Sequence, residues 1–256
     1  MPDTLPLRAI EDIAIRVTGV QRAFGTRMAL AGISFDAPRG SLTGIVGPDG
    51  AGKTTLLRVL ASILRPTAGD AWIDGASVRD QPELVKQCIG YMSQRFGLYA
   101  DLTVRENIDF YAELYLVPRA ERDARLEQLY AFSGLAPFAA RVAGALSGGM
   151  RQKLGLCCAL IHQPSVLLLD EPTFGVDPLS RHELWRFIHQ MIARGVTVLL
   201  STAYLDEAER CDRVGLLSDG ELLAFDAPDT LRAAGVRAGA PLPSLEDAFI
   251  ARVRHG

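Results

Sequence analysis

Apolar residues along the chain fall into short runs that are separated by longer segments of helical period. The runs at 42–46, 166–169, 196–200 and 214–217 are rich in Val, Leu and Ile, which is typical of buried strands. A helical pattern at 179–194 separates the second run from the third. Because strands that alternate with helices form parallel sheets, these segments predict an α/β fold with a mainly parallel sheet.

The amino-terminal part has a different pattern, in which apolar and polar residues alternate between residues 13 and 37. Alternation of this kind is typical of half-buried strands, and glycine-containing turns separate them here. AWIDG at 71–75 predicts another short strand that ends in an Asp-Gly turn. These segments predict an N-terminal antiparallel β subdomain.

A helical block begins near residue 101 and continues to about residue 162. Thr103 and Glu106 have the spacing of a capping box, and apolar residues follow them at helical spacing. Pro118 separates this helix from a charged helix at 119–132. The block therefore predicts a helical subdomain.

The patterns together indicate one domain over residues 1–256. Its core is expected to comprise about residues 1–94 and 164–256, with the helices at about 95–163 inserted between the two parts. A chain of 256 residues is long enough for one large hydrophobic core with a smaller subdomain.

The charges of the chain are nearly equal in number, with 27 Lys and Arg against 30 Asp and Glu. The net charge of −3 argues against a general nucleic-acid-binding protein, so no nucleic-acid partner is expected. The four cysteines include no C-x-x-C pair, and adjacent Cys157 and Cys158 predict helix packing in a reducing cytosol. The apolar stretches are far shorter than the ~20 residues that span a membrane, and the first residues lack a signal-peptide pattern. We expect a cytosolic protein, or one that a partner holds on a membrane.

The strongest chemical signal is GPDGAGKTT at 47–55, which fits the pattern G-x-x-x-x-G-K-[ST]. A predicted strand precedes it and an apolar helix follows it, which is the context of a phosphate-binding loop. Gly50 and Gly52 allow the backbone to curl so that successive N–H groups point into one cavity. Lys53, which we expect to be exposed, supplies a charge for the outer phosphates, and Thr54 offers a hydroxyl to Mg²⁺.

The loop predicts a P-loop NTPase core that binds a nucleoside triphosphate. Its candidate binding residues are Gly47, Pro48, Asp49, Gly50, Ala51, Gly52, Lys53, Thr54 and Thr55. The apolar face of the helix that follows is expected to consist of Leu56, Leu57, Val59, Leu60 and Ile63.

Two acids end the predicted strand in SVLLLDEP at 165–172. In a phosphoryl-transfer site, Asp170 would hold the hydration shell of Mg²⁺, and Glu171 would orient or deprotonate the attacking water. An apolar run that ends in an acid is a weak pattern by itself, because capping Asp residues are common there. Beside a phosphate loop it becomes a strong indication of nucleotide hydrolysis.

A second phosphate-competent helix start lies in LSGGMRQK at 146–153. Ser147 is a good N-cap, and Gly148 and Gly149 are expected to leave backbone N–H groups accessible. A capped helix start would explain the local sequence equally well. However, one triphosphate does not need two such sites from one chain, so a second subunit could use this one.

The order of these motifs resembles the nucleotide-binding subunit of an ATP-binding cassette (ABC) transporter: phosphate loop, LSGGM, LLLDEP, then a strand leading to DEAE. The resemblance implies that Phe24 stacks on adenine and that Gln94 reaches Mg²⁺ and senses a membrane partner. It also implies that Asp177 lies at a dimer seam, where two domains enclose two ATP molecules. The residues alone leave local explanations open, with Phe24 as core packing, Gln94 as a polar strand end and Asp177 as a helix cap.

The resemblance implies a set of site residues. The catalytic residues would be Glu171, Gln94 and Lys53, and the Mg²⁺ ligands would be Thr54, Gln94 and Asp170. Beyond the phosphate loop, the nucleotide would contact Phe24, Ser147, Gly148, Gly149 and Asp177.

The chain departs from the family pattern at two positions. Met150 stands where the family often has Gln, and little effect is expected. Ala203 stands where the family has a histidine that contacts the γ-phosphate, just after Ser201 and Thr202, where we expect the strand to reach the surface. Nucleotide binding is therefore expected to be intact, whereas hydrolysis in this chain's own site is in doubt.

Three functional classes follow. The first is the ATPase subunit of an exporter, peripheral on the cytoplasmic side of the membrane, with an integral membrane subunit as partner. RFGLYADLTVREN at 95–107 suits a groove for that partner, and SLEDAFI at 244–250 resembles exporter ATPases. The second class is a non-catalytic, poorly hydrolysing half of an asymmetric pair, whose ATP stabilises a dimer while the other half hydrolyses. For the ATP-binding domains in general, a homodimer, a heterodimer or a fused second copy is expected. A soluble ATPase that acts on DNA or ribosomes is disfavoured by the acidic charge.

Overall fold

The computed structural model describes residues 13–94, 97–233 and 244–255. The expectation that the first residues carry no signal peptide therefore lies outside the described residues, as do Arg95 and Phe96 of the aromatic loop.

The chain forms ten strands and nine α-helices over these ranges. The strands are β1 (Ile13–Phe24), β2 (Arg27–Pro38), β3 (Leu42–Val46), β4 (Ala68–Ile73), β5 (Ala76–Ser77), β6 (Ile89–Met92), β7 (Val166–Asp170), β8 (Thr197–Thr202), β9 (Arg213–Ser218) and β10 (Glu221–Asp226). The helices are α1 (Lys53–Leu60), α2 (Pro82–Cys88), α3 (Val104–Leu114), α4 (Arg119–Ser133), α5 (Gly148–Leu160), α6 (Pro178–Ile192), α7 (Leu205–Ala208), α8 (Pro228–Ala233) and α9 (Leu245–His255).

Six strands form the central sheet in the order β10-β9-β3-β8-β7-β6. All neighbours are parallel except β10 and β9, so the predicted mainly parallel sheet is confirmed. The periodicity of the sequence gives no range for β6, because this four-residue strand is too short for a periodic pattern, and only the interpretation of Gln94 as a polar strand end implied a strand here. Its Gly90 lies so close to the Ala159 carbonyl of α5 that a side chain there would overlap it.

The four-stranded sheet has the order β2-β1-β4-β5 and is antiparallel throughout, as predicted for the amino-terminal part. Its apolar face packs on α1, which also contacts β7 and β8 of the central sheet. Helix α1 is therefore buried between the two sheets. This position fixes the phosphate loop, which leads directly into α1.

The prediction of the apolar face of the helix after the phosphate loop is confirmed except at its last residue. Leu56, Leu57, Val59 and Leu60 are buried, but the helix ends at Leu60 and Ile63 is 56% exposed. The backbone leaves the helical path at Ser62, which has φ +54°. Ile63 therefore cannot continue the face.

The opposite face of the central sheet is covered by α5 and α6, with α3 and α4 packed outside α5. Cys157 and Cys158 are buried in this layer, which confirms their predicted packing role. Burial raises the pKa of the Cys157 thiol to about 12. Helix α3 begins with the predicted capping box, in which Thr103 and Glu106 exchange side-chain and backbone hydrogen bonds.

The division at residues 94 and 163 remains a prediction. No helix within the described ranges is long and apolar enough to cross a membrane, and α4 and α6 have only 15 residues each.

Candidate nucleotide-binding site

The phosphate loop joins the end of β3 to the start of α1 and depends on its glycines. Gly50 and Gly52 have φ values of +82° and +110°, which residues with a side chain rarely adopt. A Cβ atom at Gly47 would overlap the carbonyl oxygen of Leu217, and one at Gly52 would lie 2.7 Å from that of Ala29. The loop can therefore curl tightly only because these positions have no side chain.

The ammonium of Lys53 lies inside this curl, so the expectation that Lys53 is exposed was wrong. The residue is 4% exposed. Its Nζ donates to the carbonyl oxygens of Gly47 at 2.7 Å and Pro48 at 3.1 Å, and lies 3.2 Å from Oε1 of Glu171. A buried ammonium needs such oxygen partners to offset its lost hydration.

The two acids at the end of β7 face different partners. Oδ1 of Asp170 accepts hydrogen bonds from the hydroxyls of Thr54 at 3.1 Å and Ser201 at 2.7 Å. Oε2 of Glu171 accepts from Nε2 of Gln94 at 2.9 Å. Lys53, Thr54, Gln94, Asp170 and Glu171 are thus brought together from separate segments of the chain. Gln94 follows β6, in agreement with its simpler interpretation as a polar strand end.

Ser201 and Thr202 are buried, so the expectation that β8 reaches the surface there was wrong. Ser201 Oγ donates to Asp170 and accepts from the backbone N–H of Glu171 at 3.1 Å. It therefore positions both acids. The apolar pattern of β8 does not predict this role, although a serine inside an apolar strand was a usable signal.

A cleft of about 780 Å³ opens over this cluster. Phe24, at the end of β1, lines the cleft and is 46% exposed, so it is not a core residue. The guanidinium of Arg22 lies 4.6 Å from its ring centroid. The lining also includes Asp49, Gly50, Gly52 and Thr55 of the loop, and Arg27, Met28, Phe174 and Asp219, which the sequence analysis did not select.

The oxygen atoms beside the loop suit a hard divalent cation that is also held by a ligand. Oδ2 of Asp170 is buried and has no hydrogen-bond partner among the described residues. No group of three His, Cys, Asp or Glu residues in the described ranges could hold a metal by itself. Mg²⁺ is usually held by one or two carboxylates together with phosphate oxygens, and Thr54 and Asp170 fit that arrangement.

The LSGGM segment does not line this cleft. Ser147 caps α5 by accepting from the backbone N–H of Met150 at 3.2 Å, as predicted, and Ser147 and Gly148 are exposed. Gly148 lines a neighbouring cavity of about 320 Å³, which shares Gln94 and Phe174 with the cleft. The expectation of accessible N–H groups was wrong for Gly149, which is buried because α5 packs there on Ser180 of α6.

Asp177 caps α6, as its simpler interpretation predicts. Its Oδ1 accepts from the backbone N–H of Ser180 at 3.0 Å, and hydrogen bonds from Ser180 lower the pKa of its carboxyl group. Like Ser147, Asp177 is exposed outside the cleft.

Ala203 follows β8 and is exposed. It lines a third cavity, of about 270 Å³, together with Gly47, Pro48, and Phe249 and Ile250 of α9. Ala203 therefore lies beside the first residues of the phosphate loop, but on a different side from the cleft.

Comparison with known proteins gives one family. The family described as ABC transporter matches residues 30–174. The chain is 46% identical over 224 residues to the probable multidrug ABC transporter ATP-binding protein YbhF of Escherichia coli, covering 87% of this chain and 39% of that protein. It is 38% identical over 223 residues to the daunorubicin resistance ATP-binding protein DrrA3 of Streptomyces coeruleorubidus, covering 87% and 71%. The chain thus spans about two fifths of the length of the E. coli relative.

Solved structures agree with this family. The ATP-binding subunit of an ABC transporter superposes with a TM-score of 0.83 at 29% identity, covering 94% of this chain and 99% of that chain. A dimeric ATP-binding cassette bound to ADP and Pi superposes with a TM-score of 0.75 at 25% identity, covering 83% and 98%. The predicted α/β fold is therefore confirmed.

The packing of α5 on α6 predicts opposite effects for two adjacent glycines. Gly149→Ala should lower the free energy of unfolding by about 1–3 kcal/mol, because its Cβ would overlap the Ser180 side chain. Gly148→Ala is the matched control, because its Cβ would meet no atom closer than 3.9 Å and alanine favours the helix. Urea denaturation measures both, and equal stability of the two variants would contradict the packing.

Proposed function

The chain belongs to the ABC transporter family, and on this basis we propose that it is the ATP-binding subunit of an exporter that binds and hydrolyses ATP in the cleft. The observation that carries the proposal is the convergence of Lys53, Thr54, Gln94, Asp170 and Glu171 beneath the phosphate loop. These side chains supply a cation, two hydroxyl or amide groups and two carboxylates at one place. Groups of these types recur in sites of phosphoryl transfer.

Each part of the cleft has a role in this proposal. The loop amides and Lys53 bind the phosphates, and Phe24 at the open end stacks on adenine. Mg²⁺ neutralises phosphate charge when it is bound, and Thr54, Asp170 and Gln94 would hold it. Glu171 orients or deprotonates the attacking water.

Lys53 must exchange partners when ATP binds. Its ammonium contacts two loop carbonyls and Glu171, and phosphate oxygens would take the place of the carboxylate. Glu171 then becomes free to accept a proton from water. The same residue thus pairs Lys53 in one state and acts as the base in the other.

The proposal includes a second ATP-binding domain. Ser147, Gly148 and Asp177 are exposed and do not line the cleft, so in this proposal the chain does not apply them to its own nucleotide. We propose that they complete the site of a partner domain, which is an identical chain, a different chain or a fused copy. The dimeric cassette among the similar structures supports this arrangement.

The membrane partner would be an integral transport subunit, and the chain would lie at the cytoplasmic face of the membrane. Support comes from the exposed aromatic residues that follow Gln94. Tyr99 and Phe110 are 47% and 38% exposed, with ring centroids 4.7 Å apart. The relatives named for multidrug transport and daunorubicin resistance support export as the direction.

A poorly hydrolysing half of an asymmetric pair is the second candidate. It is suggested by the resemblance, in which a histidine that contacts the γ-phosphate stands at the position of Ala203, whose methyl group cannot donate a hydrogen bond. Ala203 lies outside the cleft in this structure, so this candidate also requires its segment to move toward the nucleotide when ATP binds. In that case this chain binds MgATP, and most turnover takes place in the site of its partner.

Substitution of Lys53, alone and together with Glu171, distinguishes its contribution to ATP affinity from its contribution to the stability of the fold. Lys53→Met should weaken ATP binding at least about tenfold and lower stability by about 2 kcal/mol, because it leaves Glu171 without its cation. The double variant Lys53→Met/Glu171→Gln should recover much of the stability but none of the affinity. Fluorescent-nucleotide titration and urea denaturation measure the two effects. Unchanged ATP affinity in Lys53→Met would contradict the proposed function.

Glu171→Gln should trap the assembled state, since it retains binding and removes the base. We expect light scattering to give a dimer mass for this variant, or for its mixture with a homologous domain, with MgATP only. ADP and nucleotide-free samples are the controls. The same mass in all three samples would contradict nucleotide-driven association.

Ala203→His tests the second candidate. Loss of one preorganised donor costs roughly 10²–10³ in rate, so the histidine should raise single-turnover hydrolysis at least about tenfold. Ala203→Ser is the control for added size. If the unaltered chain already turns over ATP briskly and Glu171→Gln abolishes this, the asymmetric-pair candidate is wrong.

A further inference from the structure

The segment that contains Ala203 is held by a buried acid that lies outside the cleft. Glu207 on α7 is 1% exposed. Its Oε2 accepts a hydrogen bond of 2.7 Å from the hydroxyl of Thr202, the last residue of β8. The same hydroxyl accepts from the backbone N–H of Tyr204 at 3.0 Å. Glu207 and Thr202 therefore fix the backbone on both sides of Ala203.

The other oxygen of Glu207 faces α6. Nε of Arg181 lies 3.3 Å from Oε1 of Glu207, and its guanidinium lies 4.5 Å from the ring centroid of Tyr204. Neither Nε nor Oε1 has a hydrogen-bond partner within the described ranges, so the contact is an ion pair without a well-aligned hydrogen bond. A buried carboxylate needs this cation, because Thr202 alone does not neutralise it.

Backbone hydrogen bonds connect Arg181 to Asp177 on one side of this contact and Thr202 to the phosphate loop on the other. Arg181 donates its backbone N–H to the carbonyl of Asp177 at 2.8 Å, within the exposed start of α6. The carbonyl of Thr202 accepts from the backbone N–H of Gly47 at 3.4 Å, and the carbonyl of Gly47 accepts from Lys53. An unbroken series of contacts thus joins Asp177 to Lys53.

We propose that Glu207 is a positioning residue that couples the start of α6 to the phosphate loop. It acts through Arg181 on one side and through Thr202 on the other, and touches neither nucleotide nor metal. The proposal rests on the proposed function, because Asp177 would face the partner domain. When MgATP occupies the cleft, the Arg181–Glu207 pair holds α6 in the orientation that presents Asp177.

The interaction between the side chains of Arg181 and Glu207 is tested without nucleotide by a double-mutant cycle in the full chain. Arg181→Met leaves the Glu207 charge buried and unpaired, so its urea midpoint should fall. Adding Glu207→Gln removes that charge, so the double variant should have a higher midpoint than Arg181→Met. If the two losses simply add, the side chains do not interact and the proposal is wrong.

The coupling is tested by hydrogen exchange with and without MgATP. In the unaltered chain, MgATP should slow exchange in residues 47–53 and in residues 178–182. Glu207→Gln should retain the protection of residues 47–53, and its nucleotide affinity should stay within about twofold of that of the unaltered chain. The protection of residues 178–182 by MgATP should fall about tenfold. A merely structural defect would lower both together.

Two controls complete the experiment. Asp206→Asn removes the same charge from α7, but its side chain is 66% exposed and lies 3.8 Å from Arg181, so it should behave like the unaltered chain. Thr202→Val removes the hydroxyl and should lose coupling, whereas Thr202→Ser should retain it. Protection of 178–182 that survives in Glu207→Gln would overturn the proposal. Absence of protection at 47–53 in the unaltered chain would instead contradict the proposed function.

Discussion

The buried ammonium of Lys53 is the charge around which the candidate site is arranged. It has oxygen partners on the phosphate loop and on Glu171, so the loop and the end of β7 are held in contact by one cation. Without these oxygens, its burial would cost several kcal/mol. The buried ammonium must be surrounded by oxygen atoms, and this one constraint explains two features. The loop needs glycines to bring its backbone around the ammonium, and Glu171 must lie beside it.

That constraint depends on strand register. β8 lies between β3 and β7, and it pairs Val46 with Thr202 on one side and Asp170 with Ser201 on the other. The phosphate loop and the two acids thus emerge at the same height of the sheet. Parallel strands bring their carboxyl ends to one edge, which is where ligands bind in sheets of this kind.

The start of α5 belongs to a different part of the molecule. It is packed on the start of α6 at Gly149, and both helix starts are capped by side chains, Ser147 and Asp177. Because the two helix starts are capped and packed on each other, they form an ordered, exposed surface outside the cleft. This separation is the physical reason for proposing a site shared between two domains.

The sequence by itself determined the parallel sheet, the phosphate loop, the capping box and the residue types that bind phosphate and divalent cations. These features depend on hydrophobic periodicity and on the positions of glycines. Both are properties of residues that lie close together in the sequence. It could not determine that Lys53 and Thr202 are buried, or that Ser201 and Glu207 position other groups. Their burial follows from contacts between β3, β7, β8 and α6, which are distant in sequence. Only the tertiary structure decides which polar groups lose water, and hence which must find partners.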